Sequence, residues 1–352
     1  MQQPVNVAII GAGIAGLSCA KALSDNGFEV TLFEKSRGVS GRFSTRVRDA
    51  WQCDHGAQYF TASTPQFKNE LEQWLKADVA QLWQPHLAVL DGHDFSSKAT
   101  ESASSISRYV GYPCNSSPSK WLAQSLNVVT QSTVCAIHNN GSQWQITTKE
   151  LGLNPMRFDC LVLAMPAPQA AILLQDVNQA LVAHCNSVTM RPCYALMLRL
   201  TSGLKRTFQG LFVNAGPLSW MALDSAKPGR LNDGYDEVWV LHAASDWSQL
   251  HVDDDQHTVA QLMLNEFMRV MQLNGADTAE ISSTIAQLAT ASNYDLHRWL
   301  YADCDHYLAV SHQFDHQQKI GLCGDWLNGG KIEGAWLSGF NLAHAIMQQS
   351  VI

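Results

Sequence analysis

An apolar run from Val5 to Ile10 passes directly into Gly11-Ala12-Gly13-Ile14-Ala15-Gly16, and no other feature constrains the chain as much. Leu17, Ala20, Ala22 and Leu23 then continue an apolar helical face until Asn26-Gly27, residues suited to a left-handed helix stop. A second apolar run, Glu29 to Phe33, ends at Glu34. Strand, glycine turn, helix, strand and acid follow in the order of a dinucleotide-binding βαβ unit.

Each glycine has a separate physical task. The first permits the tight turn after the strand, the second lets backbone approach a pyrophosphate, and the third allows close helix–strand packing. The helix start then offers unpaired N–H groups and a favourable dipole to the diphosphate. Glu34 lies 21 residues beyond Gly13. A carboxylate there accepts both hydroxyls of an adenosine ribose and repels a 2′-phosphate, so FAD or NAD is expected rather than NADP. Lys35 follows it directly.

At 352 residues the chain is long for one core, and two domains are expected. With 46% hydrophobic and 15% charged residues it has the composition of a globular protein. A net charge of −8 with no Lys/Arg block argues against nucleic acid or an anionic membrane as partner. Val5 to Ala20 lacks the basic flank of a signal peptide, and no stretch is apolar enough to span a membrane. The nine cysteines form no C-x-x-C pair and read as reduced, mostly buried thiols of a cytoplasmic protein. His306, His312 and His316 match no zinc spacing, so no metal is expected. Asp253-Asp254-Asp255 precedes a helix with Val259, Leu262, Met263, Phe267, Val270 and Met271 on one face, and reads as acidic capping.

Beyond the first unit lies a Gly-bearing loop between arginines, Arg37 to Arg42, then Asp54-His55-Gly56-Ala57-Gln58-Tyr59-Phe60. Helices are expected at Pro65 to Lys76 and Ser117 to Leu126. Short strands follow at Val128-Val129, Val134 to His138 and Trp144 to Thr147, with an Asn-Gly hairpin step at Asn140-Gly141. A buried strand is expected at Cys160 to Ala164. Runs at Cys193 to Leu200, Gly210 to Val213 and Val238 to His242 suggest a separate antiparallel sheet. Lys319 to Cys323 reads as a last strand ending in Gly324-Asp325, and Glu333 to Gly339 as the opening of a final helix, Phe340 to Gln348.

This C-terminal segment favours FAD over NAD, because only the longer cofactor needs a second contact so far along the chain. Asp325, beside Gly324, is placed for a ribityl hydroxyl, and the backbone of Gly334, Ala335 and Trp336 for the pyrimidine side of the flavin. The expected fold is α/β (α+β overall). A Rossmann-type FAD-binding domain with a parallel sheet (1–75, 105–180 and 305–352) is joined to a substrate domain on a mostly antiparallel sheet with helices (76–104 and 181–304).

Taken together, the segments Gly11 to Gly16 with Glu34, Ser40-Gly41-Arg42, His55 to Tyr59, Leu161 to Pro168, Val240 to Ala243, His297-Arg298-Trp299 and Gly324-Asp325 with Glu333 to Gly339 resemble the renalase-like FAD-dependent oxidoreductases of the amine-oxidase flavoprotein superfamily. The resemblance implies that Arg42 meets the pyrophosphate, Gln58 and Tyr59 line the flavin with Gly56 and Ala57, the Val134 backbone meets adenine, and Asp325 meets the ribityl chain. The chain departs from the family at Ser40-Gly41, where two glycines are usual, and at Leu300, where a basic residue is more frequent.

The resemblance also implies an oxidase that takes hydride from a dihydronicotinamide reduced at the wrong ring position, restoring NAD(P)⁺ while dioxygen becomes hydrogen peroxide. Tyr59, Trp220, His242 and Trp299 are the candidates for a pocket around the substrate ring. Such chemistry needs positioning and exclusion of water more than an acid–base pair, and no nucleophile triad is visible. Oxidation of small amines and a non-enzymatic flavin-bound sensor are the competing readings. The partners expected are a small-molecule substrate and dioxygen; oligomeric state, electron acceptor and covalent attachment stay open.

Overall fold

The computed structural model describes residues 4–96, 106–289 and 293–350. At its centre is β1 (Asn6–Ile10), buried on both faces as an apolar run without alternation must be. The chain turns at the glycines into α1 (Ile14–Ser24) and returns as β2 (Glu29–Phe33). The helix stops at Gly27 (φ +83°), where the Phe28 N–H closes onto the Leu23 carbonyl at 3.2 Å.

β1 pairs in parallel with β2 on one side and with Cys160–Leu163 on the other. The six-stranded sheet is completed by Asn127–Val129 at one edge and by Ile320–Leu322 and Gln313–Asp315 at the other, the last pair antiparallel. The chain therefore reverses its direction of winding beside β1, at the carboxyl end where Gly11 and Glu34 emerge. In open α/β sheets that crevice is where ligands bind.

A second sheet of seven strands follows the order Tyr294–Cys304, Met190–Leu200, Glu237–Ala243, Leu218–Leu223, Gly210–Val213, Leu87–Asp91 and Asp94–Ser96. It is antiparallel except where Gly210–Val213 runs parallel to Leu87–Asp91. One face is covered by the helix Gln256–Leu273, whose Val259, Met263, Phe267, Val270 and Met271 are buried. The Asn-Gly hairpin forms between Val134–Asn139 and Trp144–Thr148. The parallel Rossmann-type sheet and the separate, mostly antiparallel sheet read from the sequence are the ones observed.

Four local expectations change. The last helix starts at Lys331 and runs to Ser350, so Glu333 to Gly339 lies inside it and does not open it. Two of its glycines are explained by backbone proximity: a Cβ on Gly339 would sit 1.9 Å from the Ala15 carbonyl, and one on Gly334 2.1 Å from that of Asn328. The helix at Ser117 ends at Ala123, because the chain tightens into turns before the strand at Asn127. Leu262 is 38% exposed, and Leu264 takes the buried place instead. Leu218–Leu223 and Tyr294–Cys304 are strands that the local pattern did not disclose. Asp255 caps its helix, accepting the Thr258 N–H at 3.0 Å.

Candidate functional site

The glycine turn is shaped by close backbone contacts. A Cβ on Gly11 (φ +105°) would meet the Ala164 carbonyl at 2.5 Å, and one on Gly16 the Gly11 carbonyl at 2.0 Å. On Gly13 it would meet nothing within 4 Å. Gly11 and Gly16 are thus needed for packing, whereas Gly13 faces open space. Gly13 also caps α1 with no side-chain bond, so the first-turn N–H groups at Ile14, Ala15 and Gly16 are not taken by a capping side chain. Ser40-Gly41 lies against this turn, the Ser40 N–H donating to the Ala12 carbonyl at 2.9 Å.

Glu34 is buried and accepts the Ala12 N–H on one carboxylate oxygen and the Ser36 N–H on the other, both at 2.8 Å. These bonds fix its orientation while leaving lone pairs for ribose hydroxyls. Lys35 points to solvent. Val134 opens its strand two residues after Ser132, whose N–H donates to the Glu34 carbonyl at 2.9 Å, so its backbone lies close to Glu34.

Arg42 and Asp325 meet each other. Arg42 Nη1 donates to Asp325 Oδ2 at 3.0 Å and to the Ala302 carbonyl at 2.9 Å, and Nη2 pairs with Asp325 Oδ1. Burial works against the Arg42 charge, but Asp325 more than offsets it and raises the pKa. The Gly324 N–H donates to Ser338 Oγ at 2.9 Å, tying the strand end to the last helix. Gly334, Ala335 and Trp336 lie beyond the first N–H groups of that helix. The Trp336 ring, stacked on Phe340 at 4.9 Å, is core.

At the other end, Gln58, Tyr59, Trp220 and His242 come together. Gln58 Oε1 accepts Trp220 Nε1 at 3.3 Å and Lys227 Nζ at 3.1 Å; its Nε2 donates to the carbonyls of Asp54 at 2.6 Å and Gly56 at 3.1 Å. Only donors face the oxygen and only carbonyl acceptors the nitrogen among these four, so one orientation of the amide satisfies them all. His242 Nε2 lies 3.5 Å from Gln58 Nε2. Tyr59 packs 5.9 Å from Trp220, under the Arg108 guanidinium. Gly56 is forced by the Arg42 carbonyl, 2.0 Å from where its Cβ would be, and the Ala57 N–H donates to that same carbonyl at 2.9 Å. Trp299 donates Nε1 to the His55 carbonyl at 2.7 Å and stacks on the His55 ring at 5.2 Å, with His297 beside both.

All three imidazoles are held neutral. Burial, then His297 and Arg46, lowers His55 to about 3. Burial and Lys227 lower His242 to about 4, and burial and Arg46 lower His297 to about 4.

Beneath Gln58 is a cluster that the sequence reading missed: Asp54, Asp224, Lys227 and Arg230, with side chains fully buried. Lys227 Nζ lies 3.1 Å from Asp54 Oδ2 and 2.7 Å from Asp224 Oδ1, and Arg230 Nη2 is 2.5 Å from Asp54 Oδ2. Burial alone would push Asp54 up, but Arg230 and Lys227 bring it down to about 2. Asp224 is raised by burial and by Asp54. The spacing Asp224, Lys227, Arg230 was the available signal, though a charged turn ordinarily means a solvated one.

Residues 9–76 match the family described as NAD(P)-binding Rossmann-like domain. The 4,4'-diapophytoene desaturase (4,4'-diaponeurosporene-forming) of Staphylococcus aureus (strain Newman) is 40% identical over 52 residues, 15% of this chain and 10% of that enzyme. The match therefore spans about a tenth of that relative's length. Among solved structures, a candidate protoporphyrinogen oxidase from Exiguobacterium sp. 255-15 aligns over 99% of this chain and 100% of its own, with TM-score 0.75 and 11% identity. Cyclohexylamine oxidase from Brevibacterium oxydans IH-35A aligns over 99% and 100%, with TM-score 0.72 and 13% identity. A redesigned putrescine oxidase aligns over 98% and 100%, with TM-score 0.72 and 11% identity. This chain has their fold. Among its described residues no helix is long and apolar enough to cross a membrane.

Proposed function

We propose that this chain is an FAD-dependent oxidoreductase that takes hydride from a dihydronicotinamide reduced at an unusual ring position. NAD(P)⁺ is released, and with one proton dioxygen is reduced to hydrogen peroxide. The open face of Gly13, the oriented Glu34 carboxylate and the Arg42–Asp325 pair fit an extended dinucleotide better than a mononucleotide. When bound, FAD supplies a two-electron acceptor, and the protein supplies orientation, burial and charge. Residues 1–75, 105–180 and 305–352 form the cofactor half in this reading, and 76–104 and 181–304 the substrate half.

One observation carries the choice of reductant. The side chains gathered around Gln58 include three imidazoles held neutral and several aromatic rings, and the buried carboxylates among them, Asp54 and Asp224, are committed to Lys227 and Arg230. An alkylammonium would find no free counter-charge there, whereas a neutral dihydropyridine ring needs none. Tyr59, His242 and Trp299 bound this ring space, while Trp220, buried against Phe212, holds Gln58 from below. Oxidation of small amines is the second reading, favoured by the fold shared with the amine oxidases.

Anaerobic stopped-flow absorbance separates them. Rapid bleaching of the flavin by ring-position isomers of NADH, and not by simple amines, is the expected result. Bleaching by amines alone overturns the dihydronicotinamide reading, and reduced flavin that persists in air would indicate a sensor.

A further inference from the structure

The strand β3 (Thr45–Val47) pairs with β4 (Gln52–Asp54), and its side chains alternate between two surroundings. Thr45 turns inward, its hydroxyl donating to Asp54 Oδ1 at 2.6 Å. Arg46 points the other way, towards the long strand Tyr294–Cys304, where its Nη2 lies 3.4 Å from His297 Nδ1. Arg48, two residues further on, continues that side. Among the described residues neither guanidinium has a carboxylate at ion-pair distance. Asp295, which acts on Arg46 electrostatically, is already paired with Arg199 at 2.6 Å. Burial, and then the Arg48 charge, lowers the Arg46 pKa. A half-buried guanidinium facing a second cation and a neutral imidazole, on a chain of net charge −8, lacks its anion.

We propose that Arg46 and Arg48 form a receptor for a phosphate group of the substrate nucleotide, at the rim of the ring pocket and apart from the Gly13 turn. This deepens the dihydronicotinamide reading and rests on it. The two phosphate sites are set apart by the long strand: Arg42 holds the carbonyl of Ala302 and Arg46 meets His297. At a rise of roughly 3.3 Å per residue, these positions are about 16 Å apart. Trp299 and His55 lie next to His297, so a nucleotide whose ring packs beside this stacked pair would bring its own phosphate towards Arg46.

The test uses the full chain loaded with FAD and fluorescence titration with NAD⁺, nicotinamide riboside and inorganic pyrophosphate. NAD⁺ is expected to bind at least about tenfold more tightly than the riboside, as for charge-assisted phosphate contacts. The double variant Arg46→Gln, Arg48→Gln should erase that gap while leaving riboside affinity and FAD content unchanged. Arg46→Lys should restore part of it, since charge survives without the planar fork. A gap that persists in the double variant overturns the receptor and leaves the dihydronicotinamide reading intact. Loss of FAD from the variant also overturns it, by making Arg46 a cofactor contact. If no nicotinamide compound binds but pyrophosphate binds the parent chain and not the variant, the receptor stands and the nicotinamide reading fails.

Discussion

Arg42 and Asp325 are 283 positions apart in sequence, yet the guanidinium of one lies flat against the carboxylate of the other, with Nη1–Oδ2 at 3.0 Å. The pair joins the loop after β2 to the end of the strand Ile320–Leu322, so the two ends of the chain share one anchor. Replacing Asp325 with Asn keeps hydrogen bonding and removes the charge; replacing Arg42 with Ala leaves the carboxylate alone. FAD affinity should fall about tenfold for Asp325→Asn and about a hundredfold for Arg42→Ala, the scale of one and two charge-assisted contacts. Equal FAD affinity in Arg42→Ala and the parent, measured by ultrafiltration, would remove Arg42 from the cofactor site.

Glu34 carries two backbone N–H groups besides its expected ribose contact. Glu34→Ala should therefore destabilise the chain even without cofactor, by about 1–3 kcal/mol for the buried Ala12 donor left unmet and by less for that of the exposed Ser36. Glu34→Gln should lose less, because its amide oxygen can still accept. Urea unfolding of the cofactor-free protein distinguishes this from a purely ligand-binding role, which would leave both midpoints unmoved.

Lys227 is held between two buried carboxylates. Lys227→Met leaves Arg230 alone to balance both, 2.5 Å from Asp54 but 3.8 Å from Asp224, with an expected loss of about 3–5 kcal/mol. Adding Asp224→Asn removes one of the stranded charges and should recover part of the loss, a coupling that a double-mutant cycle reads directly. Strict additivity would mean that the cluster does not act as a unit.

Ser40 sits at φ +112°, a conformation that favours glycine. Its hydroxyl offsets the strain by bonding to the Phe43 carbonyl and receiving Ser119 Oγ at 3.0 Å. Ser40→Ala keeps the strain and loses both bonds, so about 1–3 kcal/mol of stability should disappear; Ser40→Gly trades one for the other and should lie closer to the parent. Thermal melts of the two variants give the order, and a more stable Ser40→Ala would refute it.

His55, His242 and His297 take up protons at about 3, 4 and 4 when folded, against an ordinary value of 6.5. Between pH 6.5 and about 4 the unfolded chain therefore binds more protons than the folded one. Stability contributed by these groups is complete above 6.5 and falls as pH drops through this window. The melting temperature should decline steeply from pH 6.5 to 4, and His242→Gln should flatten the slope by about one proton. An unchanged slope in that variant would locate the acid sensitivity elsewhere.

The legible parts of this fold are those whose physics is local. The first βαβ unit, the Asn140-Gly141 hairpin and the helix Pro65–Lys76 each carry their period and punctuation within a few residues. Tyr59 and His242 could be nominated as aromatic or polar groups suited to a ring pocket, whereas Gln58 entered only through the family resemblance. Asp54 could not be linked to Lys227 and Arg230, since no periodicity relates side chains 173 and 176 positions apart. The last helix was misplaced for a related reason. Gly334 and Gly339 read locally as the approach to a helix start at Phe340, but their missing side chains make room for backbone from Asn328 and Ala15 inside the helix.

The strand Tyr294–Cys304 touches Arg42 at Ala302 and carries Trp299 and His297 at its middle. In the proposed reading a cofactor held near Arg42 and a substrate held near His297 would bear on the same strand, and any coupling between them would be reciprocal. A substrate screen is therefore best run on protein loaded with FAD as well as on protein without it.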